Sequence, residues 1–212
     1  MTFQVQDLGR VGYLQAFDRQ RATHEEVLGG GPNTLLLVEH PPVLTLGASF
    51  HQENLLQSAE EYRARGITVE VTDRGGDVTY HGPGQLVAYP IFRLEEIGKD
   101  LHRYLRDLES AVIATAAAFG VEAGRNPVNT GVWVGNRKLC AMGIKIRRWV
   151  SMHGLALNCD VDLAPFGLIV PCGIGGGYGV TSLSEETGRR VTVDEAKPIL
   201  VDALRDQFRS AP

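Results

Sequence analysis

The pattern of apolar and polar residues along the chain predicts both helices and strands. Through Asp100–Phe119, apolar residues recur at spacings of three and four, so they share one helical face, with Asp100 as the cap and Gly120 at the end. Two further stretches, each followed by glycine, also predict helices. These are Gly12–Leu28 and Leu55–Arg65.

Near the C-terminus, Thr192 and Glu195 form a capping-box pattern ahead of the helical run Ile199–Phe208. Pro198 lacks a backbone N–H and removes one helical hydrogen bond, so this helix is expected to begin near Lys197.

Short runs rich in Val, Ile and Leu predict strands between these helices. They are Thr34–Glu39, Val43–Gly47, Ile67–Thr72, Thr130–Val134, Leu139–Ile146 and Val150–Leu157. No repeat, low-complexity tract or linker divides the chain. The sum predicts a single α/β (α+β) domain that spans residues 1–212.

Composition narrows the class of protein. A length of 212 residues with 43% hydrophobic and 22% charged residues suits an ordinary globular core. The net charge of −4 argues against a generally basic nucleic-acid binder. No stretch approaches the ~20 apolar residues of a membrane span, and the N-terminus lacks the pattern of a signal peptide. We therefore expect neither nucleic-acid nor membrane binding.

The three cysteines are an odd number and form no CxxC motif. This pattern argues against a disulfide framework or a structural zinc site and favours a reducing, cytoplasmic setting. The histidines and acidic residues also lack metal-ligand spacing, so no metal site is expected.

Charge is distributed unevenly along the chain. The stretch Ala123–Cys159 contains no acidic residue but six basic ones, so it could form a patch for an acidic partner or simply solvated strands with basic edges. Two other stretches, Val78–Phe92 and Leu163–Ser184, contain no Asp, Glu, Lys or Arg. Such segments suit the wall of an apolar pocket or ordinary buried loops.

Cys172 is the candidate nucleophile, because it follows a proline and precedes a glycine-rich turn whose backbone N–H groups can face an oxyanion. The alternative is a buried structural cysteine. A thiol in apolar surroundings has a raised pKa, so the reactive thiolate needs a base or a cation from elsewhere. The sequence leaves the candidates open: they are His81, His153 and the basic residues of Ala123–Cys159, among which Lys138 and Lys145 are foremost.

The segment Arg74–Leu86 (RGGDVTYHGPGQL) closely resembles the signature of the lipoyl(octanoyl) transferases, which are octanoyl-[acyl-carrier-protein]:protein octanoyltransferases. Four further blocks agree in order and spacing, and the resemblance runs from about Leu8 to the end of the chain. They are Glu39–Val43 (EHPPV), Arg137–Ile144 (RKLCAMGI), His153–Asn158 (HGLALN) and Pro171–Ile174 (PCGI). Asp77 departs from the Gln or Lys that is common in the family.

The resemblance implies the α/β catalytic domain shared by biotin and lipoate ligases, with a mixed sheet and packed helices. It implies transfer of an octanoyl or lipoyl group from acyl carrier protein to a lysine of a lipoyl domain, in protein lipoylation, through a cysteine thioester and without a cofactor. Cys172 aligns with the family's catalytic cysteine and Lys138 with its lysine. The residues that align with the acyl-binding walls are Arg74, Gly75, Gly76, Asp77, Val78, Thr79, Tyr80, His81, Ala141, Met142, Gly143, Gly154, Leu155 and Ala156.

The implied acceptors are the lipoyl domains of 2-oxoacid dehydrogenase complexes and the glycine cleavage H protein, and a monomer is expected. Three alternatives stay open. They are an ATP-dependent lipoate–protein ligase on the same fold, a cysteine hydrolase that releases the acyl group to water, and a non-catalytic module that binds acyl carrier protein.

Overall fold

Two β-sheets and the helices packed on them form the protein in the computed structural model, which describes residues 1–170 and 177–209. The strands are β1 Gln4–Arg10, β2 Thr34–Glu39, β3 Val43–Leu46, β4 Thr68–Val71, β5 Val78–His81, β6 Gln85–Ile91, β7 Gly124–Asn126, β8 Asn129–Val134, β9 Arg137–Arg147, β10 Val150–Asn158 and β11 Gly179–Val180. The α-helices are α1 Tyr13–Leu28, α2 Ala59–Ala64, α3 Leu101–Ala118, α4 Leu183–Thr187 and α5 Val193–Phe208. Short 3₁₀ turns lie at Gln52–Asn54, Leu94–Ile97 and Ala164–Leu168.

The larger sheet has the strand order β1-β2-β6-β10-β9-β8-β7, with β11 beside β9, so it has eight strands in the described part of the chain. β1 runs parallel to β2 and β11 parallel to β9, while the other neighbours are antiparallel. The smaller sheet has the order β4-β3-β5. This mixed α/β architecture confirms the predicted fold class.

Successive side chains along the central strands point to opposite faces of the larger sheet, so the core has two layers. Leu35 and Leu37 of β2 face the cluster built by α3 and α5, whereas Leu36 and Val38 face α1. Helices α3 and α5 thus cover one face of the larger sheet. The smaller sheet closes around a separate apolar cluster that includes Tyr62. No helix that the described residues form is long and apolar enough to cross a membrane.

Several predicted elements agree with the structure. Helix α3 is capped as predicted, because the Asp100 side chain accepts a hydrogen bond from the Arg103 N–H at 3.0 Å. Strand β2 has the predicted bounds, β8 and β10 each extend the predicted strand by one residue, and β9 extends it by three.

Two predictions about helix bounds were wrong. Leu55 is extended and bridges Ile169, so only Ala59–Ala64 of the predicted helix is α-helical, after its cap Ser58. The C-terminal helix begins at Val193 rather than near Lys197, because the Thr192–Glu195 capping box starts it and Pro198 is accommodated inside. In this case the reciprocal cap outweighs the loss of one backbone hydrogen bond.

Candidate active site

Most of the predicted acyl-binding residues meet at a cavity of about 530 Å³ that is lined by both sheets and by Tyr13 of α1. We call it the main cavity. Its volume lies in the range typical of sites for small molecules. Most of the residues predicted to bind the acyl group line it, namely Arg74, Gly76, Asp77, Thr79, His81, Ala141, Met142, Gly143, Gly154, Leu155 and Ala156. Their role in acyl binding stays a prediction.

Three of the predicted acyl-binding residues lie outside this lining. Val78 and Tyr80 alternate with Thr79 and His81 on β5, so they point into the apolar cluster of the smaller sheet, where Tyr80 packs edge-on against Phe166. The Gly75 N–H donates a hydrogen bond to the Ile144 carbonyl at 3.0 Å and fastens the preceding loop to β9.

Small residues line the part of the main cavity that β9 and β10 form. Ala156 lies opposite Ala141, and Gly154 lies opposite Gly143. The two glycines also permit close approach of the backbone. A Cβ atom on Gly143 would lie 2.7 Å from the Gly75 carbonyl oxygen, and one on Gly154 would lie 2.2 Å from the Ala88 carbonyl oxygen. Larger side chains are therefore excluded at both positions.

Arg74 organises the loop at the edge of the main cavity. Its guanidinium donates to the Thr45 hydroxyl and carbonyl oxygens and to the Asp77 carbonyl oxygen at 2.6–3.1 Å. The Asp77 carboxylate accepts from the His51 N–H at 3.2 Å and from the Asn54 amide at 2.5 Å. Both side chains thus hold neighbouring segments around the cavity, and Asp77 performs this bonding although it departs from the family's common residues.

The two histidine candidates for a catalytic base are both buried. Burial, reinforced by the nearby His40, lowers the pKa of His81 to about 3, so its ring is neutral at physiological pH. Its Nδ1 lies 2.7 Å from the Gln85 Oε1. Burial also lowers the pKa of His153, although the Asp73 carboxylate, 2.7 Å from Nε2, opposes that shift. Neither ring therefore supplies a permanent cation to a thiol.

Lys138 is buried beside the main cavity. Its Nζ donates to the Asn129 Oδ1 at 3.2 Å and lies 4.8 Å from the centre of the Trp133 ring. Asn129 itself lines the main cavity. In contrast, Lys145 is half-exposed and its Nζ donates to Asp73 at 2.5 Å. The two lysines of β9 thus differ in burial and partners.

Cys172, the predicted nucleophile, lies outside the described residues. A second cavity is lined by Lys138 and by residues that precede and follow Cys172 in the chain. These are Val170 and Tyr178–Val180. Val180 is also the backbone neighbour of Lys138 in the pairing of β11 with β9. The pairing of Cys172 with Lys138 stays a prediction.

The other two cysteines are free thiols in buried positions. Burial raises the pKa of Cys159 to about 12, and it raises the pKa of Cys140 as well. Both thiols therefore stay protonated and unreactive at neutral pH. Within residues 1–170 and 177–209, no three His, Cys, Asp or Glu side chains come together as a group that could hold a metal ion.

Acidic residues from other elements pair with most cations of the acid-free stretch. Arg147 pairs with Glu25 of α1 at 2.7 Å, as Lys145 does with Asp73. Arg125 pairs with the buried Glu109 at 2.8 Å, and Arg137 pairs with Glu186. The stretch is therefore much less positive at the surface than its sequence indicates.

Sequence reasoning missed several residues of the main cavity. Tyr13 was assigned only to a helix, yet its hydroxyl donates to the Thr72 hydroxyl at 2.7 Å beside the cavity. Tyr89 donates to or accepts from His40 Nε2 at 2.8 Å. No local motif marks either tyrosine, because each is brought to the site by tertiary packing.

Comparison with known proteins shows which family the chain belongs to. A model of the lipoyl protein ligase A/B catalytic domain matches residues 12–205. The chain belongs to this family. Among its similar relatives, an octanoyltransferase of Citrifermentans bemidjiense is 49% identical over 95% of this chain and 94% of its own length. An octanoyltransferase of Chloroflexus aggregans is 46% identical, and the match covers 100% of this chain and 97% of that protein. One of Flavobacterium johnsoniae is 44% identical, and the match covers 98% of this chain and 97% of that protein. The resemblance derived from the motifs is confirmed.

Solved structures share the lipoyl protein ligase A/B fold at low sequence identity. A bi-partite lipoate protein ligase from Thermoplasma acidophilum superposes with a TM-score of 0.68 at 17% identity, covering 97% of this chain and 82% of that one. A biotin protein ligase from Aquifex aeolicus gives 0.60 at 13% identity, covering 96% and 69%. These likenesses support the predicted relation of the fold to the biotin and lipoate ligases.

Proposed function

We propose that this chain, as a single catalytic domain over residues 1–212, is an octanoyltransferase of protein lipoylation. It transfers an octanoyl or lipoyl group from acyl carrier protein to a lysine of a lipoyl domain, through a thioester on Cys172. The main supporting observation is the buried Lys138, whose ammonium donates to Asn129 in the wall of a cavity that is lined by most of the predicted acyl-binding residues. Relatives named octanoyltransferases, similar over nearly the whole chain, add to this.

In the proposed first half-reaction, Lys138 takes the proton of the Cys172 thiol or holds the thiolate as its ammonium partner. The sulfur attacks the octanoyl thioester carbonyl, and backbone N–H groups stabilise the oxyanion. The bond from the carbonyl carbon to the pantetheine sulfur then breaks, and that sulfur receives a proton from Lys138. The product is octanoyl-Cys172.

In the second half-reaction, the amine of the acceptor lysine attacks the acyl-enzyme after losing a proton to the same base. The amide forms as the bond from the carbonyl carbon to the Cys172 sulfur breaks, and that sulfur takes the proton back from Lys138 to regenerate the thiol. No ATP, metal or other cofactor is required because a thioester is already activated. Burial of the octanoyl chain contributes roughly 5–6 kcal/mol at ~0.8 kcal/mol per CH₂ group.

The proposed acceptors are the lipoyl domains of 2-oxoacid dehydrogenase complexes and the glycine cleavage H protein. The proposed setting is the reducing cytoplasm, in keeping with the free thiols of Cys140 and Cys159.

The test is intact-mass analysis after incubation with octanoyl-acyl carrier protein. We expect one octanoyl adduct, mapped to Cys172, that disappears when a lipoyl domain is added. Cys172→Ala should abolish both the adduct and the transfer, whereas Cys140→Ala and Cys159→Ala should keep turnover because both thiols are buried and protonated.

Three results would refute this function. Substantial transfer by Cys172→Ala would exclude the thioester intermediate. A requirement for ATP with free octanoate would indicate a ligase. Release of octanoate without an amine acceptor would indicate a hydrolase.

A further inference from the structure

A second cavity, of about 370 Å³, lies beside Lys138 and has no role in the acyl-binding prediction. We call it the side cavity. Its walls are aromatic and aliphatic, and they include Trp133, Leu163, Phe166, Ile169 and Val180. Trp133 and Tyr178 meet edge to face, with ring centres 5.9 Å apart. A cavity of this size and character suits a small, largely apolar group.

The two cavities approach each other at Lys138. The Nζ of Lys138, which lines the side cavity, lies 3.2 Å from the Oδ1 of Asn129, which lines the main cavity. A linear molecule that extends from one cavity into the other therefore passes this ammonium–amide pair. The functional group at its middle would be held next to Lys138.

An acyl thioester has this linear form. Its carbonyl carries the acyl chain on one side and the arm of the thiol on the other. If the acyl chain lies in the main cavity, the arm leaves in another direction, and it must reach solvent because it is attached to a carrier protein. The side cavity meets this need, since its lining residues Gly167 and Tyr178 are exposed and Tyr178 retains 38% of its accessible surface.

We propose that the side cavity binds the pantetheine arm of the donor thioester, with the arm's methylene and dimethyl groups against the aliphatic and aromatic walls. This inference rests on the proposed function and adds a subsite for the donor to it. The side cavity would guide the arm during acylation, whereas the main cavity alone would select the acyl chain.

Gly167 offers a direct way to obstruct the side cavity. A Cβ atom at this position meets no atom within 4 Å, so Gly167→Leu places a side chain in open space at the cavity wall. Gly124→Leu is the matched control, because Gly124 also has open space around its Cβ position and lines neither cavity. Tyr178→Ala is a second variant, which removes one wall at the surface.

The experiment measures acylation of Cys172 with two donors, octanoyl-pantetheine and octanoyl-N-acetylcysteamine, whose arm ends after its first amide. We expect Gly167→Leu to raise KM for octanoyl-pantetheine by roughly tenfold and to change that for the short thioester less than about twofold. Tyr178→Ala should also weaken the long donor selectively. Gly124→Leu should affect neither donor.

Equal losses on both donors in Gly167→Leu and in Tyr178→Ala would overturn the proposal. A change of the preferred acyl length in either variant would also overturn it, since that would place the acyl chain in the side cavity. Failure of the proposed function is a separate result, because wild-type protein would then form no octanoyl adduct on Cys172 with either donor.

Discussion

Lys138 and Lys145 lie on the same strand, β9, yet their surroundings suit different tasks. Lys138 is 6% exposed and contacts an amide oxygen and an indole ring, so bulk water screens its ammonium only weakly. Lys145 is half-exposed and its charge is matched by Asp73. A charge in a poorly screened position influences a neighbouring thiol more strongly than one that is already paired in solvent.

We therefore predict that Lys138 controls the reactivity of Cys172. Alkylation of Cys172 measured against pH should give an apparent pKa that rises in Lys138→Ala, because the thiolate loses its cationic partner. Lys145→Ala is the control and should change the profile little. An unaltered profile in Lys138→Ala, or a larger change in Lys145→Ala, would mean that the wrong lysine has been paired with the cysteine.

At the scale of elements, two buried amides connect the strands that carry the site. Gln85 of β6 donates to the Asn158 Oδ1 at 2.9 Å, and the Asn158 amide donates to the Thr181 carbonyl at 2.8 Å. The Thr181 N–H in turn donates to the Lys138 carbonyl at 3.0 Å. The very short strand β11 is thereby tied to the centre of the larger sheet and held against Lys138.

Asn158→Leu should loosen this connection. It removes the donor to the Thr181 carbonyl and leaves the Gln85 amide with only its longer bond to the Tyr80 carbonyl, at a total cost of about 1–3 kcal/mol in the free energy of unfolding. Urea unfolding measures that loss, and hydrogen exchange at the Thr181 amide should become faster. Gln15→Leu, which removes an exposed amide on α1, should stay within about 0.5 kcal/mol of wild type. Unchanged exchange at Thr181 would contradict the connection.

The elements differ in how far the sequence could predict them. Helix α3 was predictable because its periodicity, cap and terminal glycine all agree. Strands β5 and β6 were not recognised as strands, because they are buried on both faces and so do not alternate. The half-exposed strand β1 was also missed, since its burial pattern is irregular. Leu55 became extended through its partner Ile169, which is distant in the chain.

In the site, too, the residues of local motifs were predictable and those brought together by distant contacts were not. The motif residues of the main cavity were found because they are adjacent in the sequence, in Arg74–Leu86 and in the blocks of β9 and β10. Tyr13, Tyr89 and Asn129 were not, since each comes singly from a different element. Local sequence contains no information on which isolated residues packing will bring together.

For the whole molecule, buried histidines set the response to acid. Burial lowers the pKa of His24, His40, His81 and His153 in the folded state. Below about pH 6.5 the unfolded chain takes up protons that the folded chain refuses, so the free energy of unfolding must fall as the pH falls. For each such histidine the slope reaches at most about 1.4 kcal/mol per pH unit.

We predict this loss in urea unfolding between about pH 7.5 and 5.5. Because the pKa of His81 falls to about 3, His81→Gln should make the dependence on pH shallower. His51→Gln, at an exposed position, is the control and should leave the slope unchanged. Stability that stays constant or rises over this range would contradict the prediction.

Charge over the whole molecule governs encounter with protein substrates, which we expect to be acidic. The cations that the sequence concentrates in Ala123–Cys159 are mostly matched by acids from distant elements, as Arg147 is by Glu25. This pairing was not predictable because the acids lie outside the stretch, both before it, as Glu25 does, and after it, as Glu186 does. A protein of net charge −4 therefore presents little positive surface to such a partner.

Glu25→Gln should unmask Arg147. At low salt we expect kcat/KM for octanoyl-acyl carrier protein to rise by roughly two- to threefold, and the gain should vanish at high salt. Turnover of octanoyl-pantetheine should not change. Arg147→Gln should have the opposite effect, and Glu60→Gln controls for net charge at an exposed site that faces neither cavity. An equal gain with the small thioester would show that Glu25 acts on the active site instead.

The main cavity is lined by two sheets that, over the described residues, share no backbone ladder. An acyl chain bound there, as we propose, would contact both sheets and would add to the apolar interior of the protein while it stays bound. The acyl-enzyme would then be the most stable form of this molecule. Transfer of the acyl group to the acceptor would remove the apolar contacts that link the two sheets. The free energy of unfolding would then rise when the acyl group binds and fall again when it is transferred, once in every turnover.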